Sequence, residues 1–113
     1  MPVPLYQAKA EFFRSLGHPA RIRVLELLAD DDLPVHQLLS RIEIEPSNLS
    51  QQLSVLRQAG LVTQRREGGE VIYSLAVPEV RDLLLAARRI LTAKHATGTQ
   101  LVDEITRHPA RKP

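Results

Sequence analysis

Short polar side chains crowd one side of the segment 45–60, EPSNLSQQLSVLRQAG. They are Ser47, Asn48, Ser50, Gln51 and Ser54. An Asn or Gln amide can bond an adenine edge through two hydrogen bonds, and a Ser hydroxyl can serve a base or a phosphate. An ordinary solvated helix face would instead carry paired Glu and Lys. This pattern favours contact with DNA, and the alternative is a polar face that is only solvated.

A helix over residues 46–59 would position these side chains. Leu49, Leu53 and Leu56 recur at spacings of four and three residues, so they form one buried stripe. Pro46 suits a first helical turn, and Gly60 suits the left-handed conformation that ends a helix. Such a helix spans roughly 21 Å and fits the major groove.

Three helices are predicted before this segment. Apolar residues follow helical spacing over residues 5–16 and 22–28, and Pro34 opens a short helix that continues to Ile42. The acidic run 30–32 is expected in a solvated loop. Two short helices joined by a tight turn, the second bearing a contact face, predict a helix-turn-helix.

A β-hairpin is predicted after this helix. Residues 61–67 and 70–75 are rich in Val, Ile, Thr and Tyr, and Gly68 and Gly69 can supply the positive φ angles of a tight turn. We expect this hairpin to be a wing with Arg65 and Arg66 at its tip. There they could contact phosphates or the minor groove, although a solvated Arg pair is the alternative.

The last helix, introduced by Pro78, has an apolar stripe too long for a small monomer to cover. A homodimer is therefore expected. Its predicted interface comprises Leu5, Phe12, Leu84, Ala87, Ile90 and Leu91.

Composition supports one mainly helical domain. The chain has 113 residues, of which 43% are hydrophobic and only 4% aromatic, so we predict one domain over residues 1–108 and a disordered tail over 109–113. The net charge of +2 does not by itself indicate nucleic acid. The absence of cysteine excludes disulfides and thiolate metal sites. Neither a membrane span nor a signal peptide is evident, and we expect a cytoplasmic protein.

Three segments together resemble the ArsR/SmtB winged-helix repressors of bacteria: LGHPARIRVLELL (16–28), SNLSQQLSVLRQAGLV (47–62) and RREGGEVIYSL (65–75). The resemblance covers about residues 12–91. It implies a dimeric winged helix-turn-helix, mainly α with a small β-hairpin in the order α-α-α-α-β-β-α. It also implies a homodimer held by the first and last helices, with repression released by a ligand, commonly a metal ion.

The resemblance places a recognition helix over residues 47–57 in the major groove. The implied DNA-contacting positions are Ser47, Asn48, Ser50, Gln51 and Gln52, with Arg65 or Arg66 on the wing. Arg57, at the end of the recognition helix, completes the predicted DNA-binding set with Ser54. Double-stranded operator DNA is the expected partner.

The metal-sensing residues of the family are incomplete in this chain. Pro34 and His36 stand where many members carry a Cys-x-Cys pair, and only Asp82 and His95 remain of another ligand set. Because a divalent ion needs three or four ligands, we predict no metal and no cofactor. The alternative is a metal-responsive repressor that uses C-terminal ligands, namely His95, Asp103, Glu104 and His108. The sequence does not name an inducer.

The sequence bears on three classes of function. A sequence-specific DNA-binding repressor fits best. A winged-helix protein-interaction module is the second class, and it would predict acidic or apolar residues in place of Asn48, Gln51 and Arg65. An enzyme is not expected, because no Ser, His and acid set has motif spacing and no Gly-rich loop follows a strand.

Overall fold

The computed structural model describes residues 1–94 and Leu101. Their helices and strands are α1 (Leu5–Leu16), α2 (Pro19–Asp30), β1 (Leu33–Pro34), α3 (Val35–Arg41), α4 (Pro46–Gln58), β2 (Val62–Glu67), β3 (Glu70–Leu75) and α5 (Glu79–Lys94). The predicted order of helices and hairpin strands is confirmed. The structure adds one short strand, β1, that the sequence analysis missed.

Strand β1 joins the hairpin into a three-stranded antiparallel sheet of order β1-β3-β2. Leu33 lies opposite Tyr73, and Pro34 lies opposite Ile72. Proline lacks a backbone N–H, so it is tolerated at the edge of a sheet but not in its middle. The strand therefore attaches the start of α3 to the wing at its outer edge.

The core is built from aliphatic side chains of α2, α3 and α4. The largest fully buried side chains include Leu25, Leu38, Leu49 and Leu56. Helix α2 contacts both α4 and β3, so it supports the helix-turn-helix and the sheet together. As predicted, the leucine stripe of α4 faces this core, which leaves the opposite side of the helix to solvent.

Helix α4 ends in a Schellman motif at Gly60. The N–H of Leu61 donates to the carbonyl of Leu56, and the N–H of Gly60 donates to that of Arg57, both at 3.0 Å. Gly60 has a φ of 76°, as its predicted role requires. Leu61 and Leu56 are both buried, as is common for the two apolar residues that this motif brings close together.

The hairpin turns at Gly68 and Gly69, whose φ angles are 55° and 83°. Both values lie in the left-handed region, as a type I′ turn requires. The prediction of the turn is confirmed, but the placement of the arginines at its tip was wrong. Arg65 and Arg66 lie inside β2, opposite Ile72 and Val71 of β3.

The chain divides into two units, of which the first is Met1–Arg81 and the second begins at Asp82, within α5. In the second unit, Leu85, Ile90 and Leu91 of α5 are exposed, and Leu84 and Ala87 are half-buried. None of the described helices is both long and apolar enough to cross a membrane. One domain over residues 1–108 stays a prediction, and the proposed tail 109–113 lies outside the described residues.

Candidate nucleic-acid interface

The polar side of α4 forms the centre of the candidate interface. Ser47, Ser50 and Gln51 are exposed, whereas Asn48 and Ser54 are half-buried. All five lie within the 13 residues of one helix, so a single rigid element positions them. A helix of this length spans roughly 20 Å, which suits insertion into the major groove.

Gln52 does not belong to this exposed face. Its exposed fraction is 8%, and it is the only polar residue buried in the described part of the chain. Its position, three residues after Leu49 and four before Leu56, belongs to the apolar stripe. The structure therefore does not place Gln52 on the exposed face with the other predicted DNA contacts, and helical spacing alone indicates the same.

Both ends of the Gln52 amide are hydrogen-bonded inside the protein. Its Oε1 accepts from Nη1 of Arg21 at 2.7 Å. Its Nε2 donates to Oδ1 of Asn48 at 2.8 Å. Gln52 thus connects a side chain of α2 to a side chain on the contact face of α4.

Arg21 is itself fixed by the end of α1. Its Nε donates to the carbonyl of Ser15 at 2.7 Å, and its Nη2 donates to the carbonyl of Arg14 at 3.3 Å. A guanidinium group presents its donors in a rigid planar fork, so three such contacts fix its orientation. No motif in the sequence indicated this cluster, because Arg21 and Gln52 are 31 residues apart.

Arg65 is held by acceptors on three neighbouring side chains. Its Nη1 donates to Oδ2 of Asp32 at 2.9 Å and to the hydroxyl of Ser74 at 3.0 Å, and its Nε donates to Oε2 of Glu67 at 2.8 Å. The hydrogen bonds to Glu67 and to Asp32 raise the pKa of Arg65. Two carboxylates thereby offset its positive charge, which makes it a weaker ligand for phosphate.

Arg66 differs from Arg65 in the direction of its side chain and in its ion pairs. Neighbouring residues of a strand project to opposite faces of the sheet, so the two arginines cannot approach DNA in the same way. Arg66 is exposed, and none of the ion pairs found in residues 1–94 involves it. Arg57, in the last turn of α4, is likewise exposed.

Helices α1 and α5 each carry exposed apolar side chains. In α1, Leu5 is 69% exposed and Phe13 is 53% exposed, whereas Phe12 is half-buried against the ring of Phe13 at 5.4 Å. In α5, Ile90 is 65% exposed. Phe13 is thus more available for a contact than the predicted Phe12, and the homodimer itself stays a prediction.

Both histidines among the described residues have partners within the chain. Nδ1 of His18 accepts a hydrogen bond from the N–H of Ala20 at 3.0 Å, which caps the start of α2. Nε2 of His36 lies 3.3 Å from Oε1 of Glu70. Within residues 1–94 and 101, no group of three His, Asp or Glu side chains could hold a metal ion.

The alternative metal site was predicted from four C-terminal residues. They are His95, Asp103, Glu104 and His108, and all four lie outside the described residues. The prediction that the protein uses no metal and no cofactor therefore stays a prediction.

Comparison with known proteins adds the family and the fold. Residues 18–64 match the family described as bacterial regulatory protein, arsR family. The uncharacterized HTH-type transcriptional regulator Rv0081 of Mycobacterium tuberculosis is 57% identical over 103 residues, which cover 90% of each chain. Its crystal structure matches with a TM-score of 0.75 and 53% identity, over 84% of this chain and 96% of that one. The predicted winged helix-turn-helix fold is confirmed.

Two further relatives carry names that state a direction of regulation. The biofilm growth-associated repressor of Agrobacterium fabrum is 35% identical over 97 residues, which cover 82% of this chain and 83% of that protein. The transcriptional activator HlyU of Vibrio cholerae is 36% identical over 77 residues, which cover 68% of this chain and 71% of that protein. These relatives are all transcriptional regulators, and none of them is an enzyme.

Proposed function

Because the chain belongs to the arsR family of bacterial regulatory proteins, we propose that it is a sequence-specific DNA-binding repressor that acts as a homodimer in the cytoplasm. Each subunit inserts α4 into the major groove and lays its hairpin wing beside it. Two subunits related by a two-fold axis bind an inverted repeat, with half-sites about 10 bp apart or a multiple of one turn.

The observation that carries this proposal is the uncharged polar face of α4. Ser47, Ser50 and Gln51 are exposed on a helix that begins at Pro46 and ends in the Schellman motif at Gly60. The helix presents hydrogen-bonding groups on a fixed backbone, which is what recognition of base edges requires. A protein-interaction surface would favour apolar or acidic side chains at these positions.

The proposed contacts divide into those that specify sequence and those that hold the backbone. Gln51 and Asn48 carry amides suited to base edges, and the serines of α4 can serve bases or phosphates. Arg57 and Arg66 are exposed cations suited to phosphate. Gln52 is not among the proposed contacts, because it is buried and both ends of its amide are hydrogen-bonded within the protein.

The homodimer is proposed from the exposed apolar residues of α1 and α5. Side chains such as Leu5 and Ile90 are mostly exposed in a single chain, and their burial against a second copy would remove apolar surface from water. An interface made from the same patch on both subunits is the usual arrangement in a two-fold dimer. The symmetry of the operator follows from this arrangement.

The test of the proposed function is a selection of bound fragments from genomic DNA with the purified protein. The expected result is a shared inverted repeat near promoters. A transcription assay on one such promoter then decides between repression and activation. A repressor lowers the transcript yield when it occupies the repeat. Recovery of fragments without a common sequence would contradict the proposal, and a higher yield would make the protein an activator.

Gln51→Ala is expected to relax base preference at one position of each half-site. Loss of a bidentate amide contact costs about 1–3 kcal/mol of discrimination at the base it contacts. The measurement is the affinity of both proteins for operators that carry each base at each position. An equal loss of affinity for every operator would instead assign Gln51 to the DNA backbone.

Arg66→Ala is expected to weaken binding to all sequences. It should also lower the slope of affinity against salt by roughly one phosphate contact per subunit. Arg65→Ala should change this slope less, because Glu67 and Asp32 already offset its charge. Titrations of both variants at several salt concentrations test the difference. A larger slope change for Arg65→Ala would show that its ion pairs open on DNA.

A further inference from the structure

We propose that Arg21 and Gln52 act as positioning residues that turn the amide of Asn48 so that it presents hydrogen-bond donors to the operator. The inference rests on the proposed function and adds a base preference at the operator position that Asn48 contacts. Its physical basis is a chain of three side chains in which each hydrogen bond fixes the direction of the next.

The first link fixes the amide of Gln52. Nη1 of Arg21 lies 2.7 Å from one end of this amide. A guanidinium group donates hydrogen bonds and cannot accept them, so only the oxygen of Gln52 can face it. Because Gln52 is buried, solvent offers no competing partner that would favour the opposite orientation.

The second link passes this direction to Asn48. With its oxygen facing Arg21, Gln52 must present its NH₂ group to Asn48, and Nε2 lies 2.8 Å from Oδ1. Asn48 must therefore turn its oxygen inward. Its Nδ2, which carries two protons, is the end that remains for a partner outside the protein.

The first side chain of this hydrogen-bond chain, Arg21, is itself held in place. Arg21 donates to the carbonyls of Ser15 and Arg14 at the end of α1, so its guanidinium does not turn without breaking those contacts. The orientation of Asn48 is thus determined by backbone atoms of another helix. This arrangement prepares one donor before DNA arrives, which reduces the ordering that binding must impose.

The consequence is a preference among bases. In the major groove, guanine offers the acceptors O6 and N7, and thymine offers O4, whereas cytosine offers the donor N4. A donor at Asn48 should therefore disfavour cytosine at the position it contacts. Adenine presents both a donor and an acceptor and does not discriminate between the two orientations. Asn48 then contacts its base through Nδ2 alone, because its oxygen accepts from Gln52.

Gln52→Glu tests this hydrogen-bond chain, because it should reverse the orientation of the Asn48 amide. A carboxylate still accepts from Arg21 but has no proton to donate, so Asn48 must turn its NH₂ group inward and present its oxygen. We expect the affinity for operators with cytosine at one position of each half-site to rise about threefold to tenfold per contact, relative to the other bases. The measurement uses a panel of operators that carry each base at each position.

Asn48→Asp is the second variant, and it leaves Gln52 intact. One carboxylate oxygen can accept from Gln52 while the other faces outward, so the same gain for cytosine is expected at the same position. Gln58→Glu is the matched control for added charge, because Gln58 is exposed on the same helix and outside the proposed contact set. It should lower affinity for all operators alike.

A measurement on the free protein tests the hydrogen bonds without DNA. Side-chain amide protons of Gln52 should exchange with water more slowly than those of Gln58, and Asn48→Ala should remove part of that protection. If the Gln52 protons exchange as fast as those of Gln58, the proposed hydrogen bond from Gln52 to Asn48 is wrong.

The experiments with DNA distinguish a failure of this inference from a failure of the proposed function. A wild-type preference for cytosine at this position, or an unchanged preference in both carboxylate variants, overturns the inference and leaves the proposed function intact. If the wild-type protein selects no sequence, the proposed function fails and the inference about bases fails with it. A gain for cytosine in both variants, absent from Gln58→Glu, supports the inference.

Discussion

Ile90→Asp is expected to convert the protein into a monomer that binds its operator at least about a hundredfold more weakly than the wild type. Ile90 is 65% exposed on α5 and belongs to the proposed dimer interface. A charge placed there would have to lose its water on association, which is unfavourable without a partner of opposite charge. A monomer occupies one half-site at a time and loses the gain from linking two recognition helices.

Sedimentation at micromolar concentration measures the first effect, and operator titration measures the second. Thr92→Asp is the matched control, because Thr92 is exposed on the same helix and lies about half a turn away from Ile90. It should remain dimeric and bind normally. A dimer that persists in Ile90→Asp, or a wild-type protein that sediments as a monomer, would contradict the proposed interface.

The second large effect concerns the support of the recognition helix. Leu56→Ala is expected to lower the free energy of unfolding by about 2–5 kcal/mol, because it removes buried methyl groups and leaves a cavity beneath α4. Leu56 is fully buried, and its neighbour Val55 is 38% exposed. Val55→Ala in the same helix should therefore cost less than about 1 kcal/mol.

Urea denaturation at one fixed protein concentration provides this comparison, since the stability of a dimer depends on concentration. Similar losses in the two variants would mean that the leucine stripe of α4 does not carry the packing described. Loss of affinity in Leu56→Ala beyond the loss of folded protein would show that the same packing also sets the angle of the helix on DNA.

The recognition helix and the hairpin were predictable because their signals are local. Leu49, Leu53 and Leu56 follow the helical period, and Pro46 and Gly60 mark the ends of α4 through their own backbone preferences. The pair at 68–69 specifies the turn in the same way. Strand β1 has only two residues, too few to show a period, and it exists because β3 lies beside it.

The candidate site was less predictable because its details depend on contacts between distant residues. The sequence did not distinguish Arg65 from Arg66, and either was predicted to contact phosphates or the minor groove. Only the fold brings Asp32, 33 residues away, to Arg65 and leaves Arg66 without such a partner among the described residues. The burial of Gln52 was accessible from helical spacing, but its partner Arg21 was not. Local periodicity indicates which face a residue occupies, whereas its hydrogen-bond partners follow from the tertiary structure.

The central claim is that two copies of α4 bind two half-sites on one face of the DNA. The most direct measurement compares the selected inverted repeat with a version in which 5 bp, about half a helical turn, are inserted between the half-sites. A two-fold dimer cannot then reach both major grooves, so affinity should fall by at least about a hundredfold, towards that for unrelated DNA. Equal affinity for both fragments would contradict the account, because it would mean that each subunit binds its half-site independently.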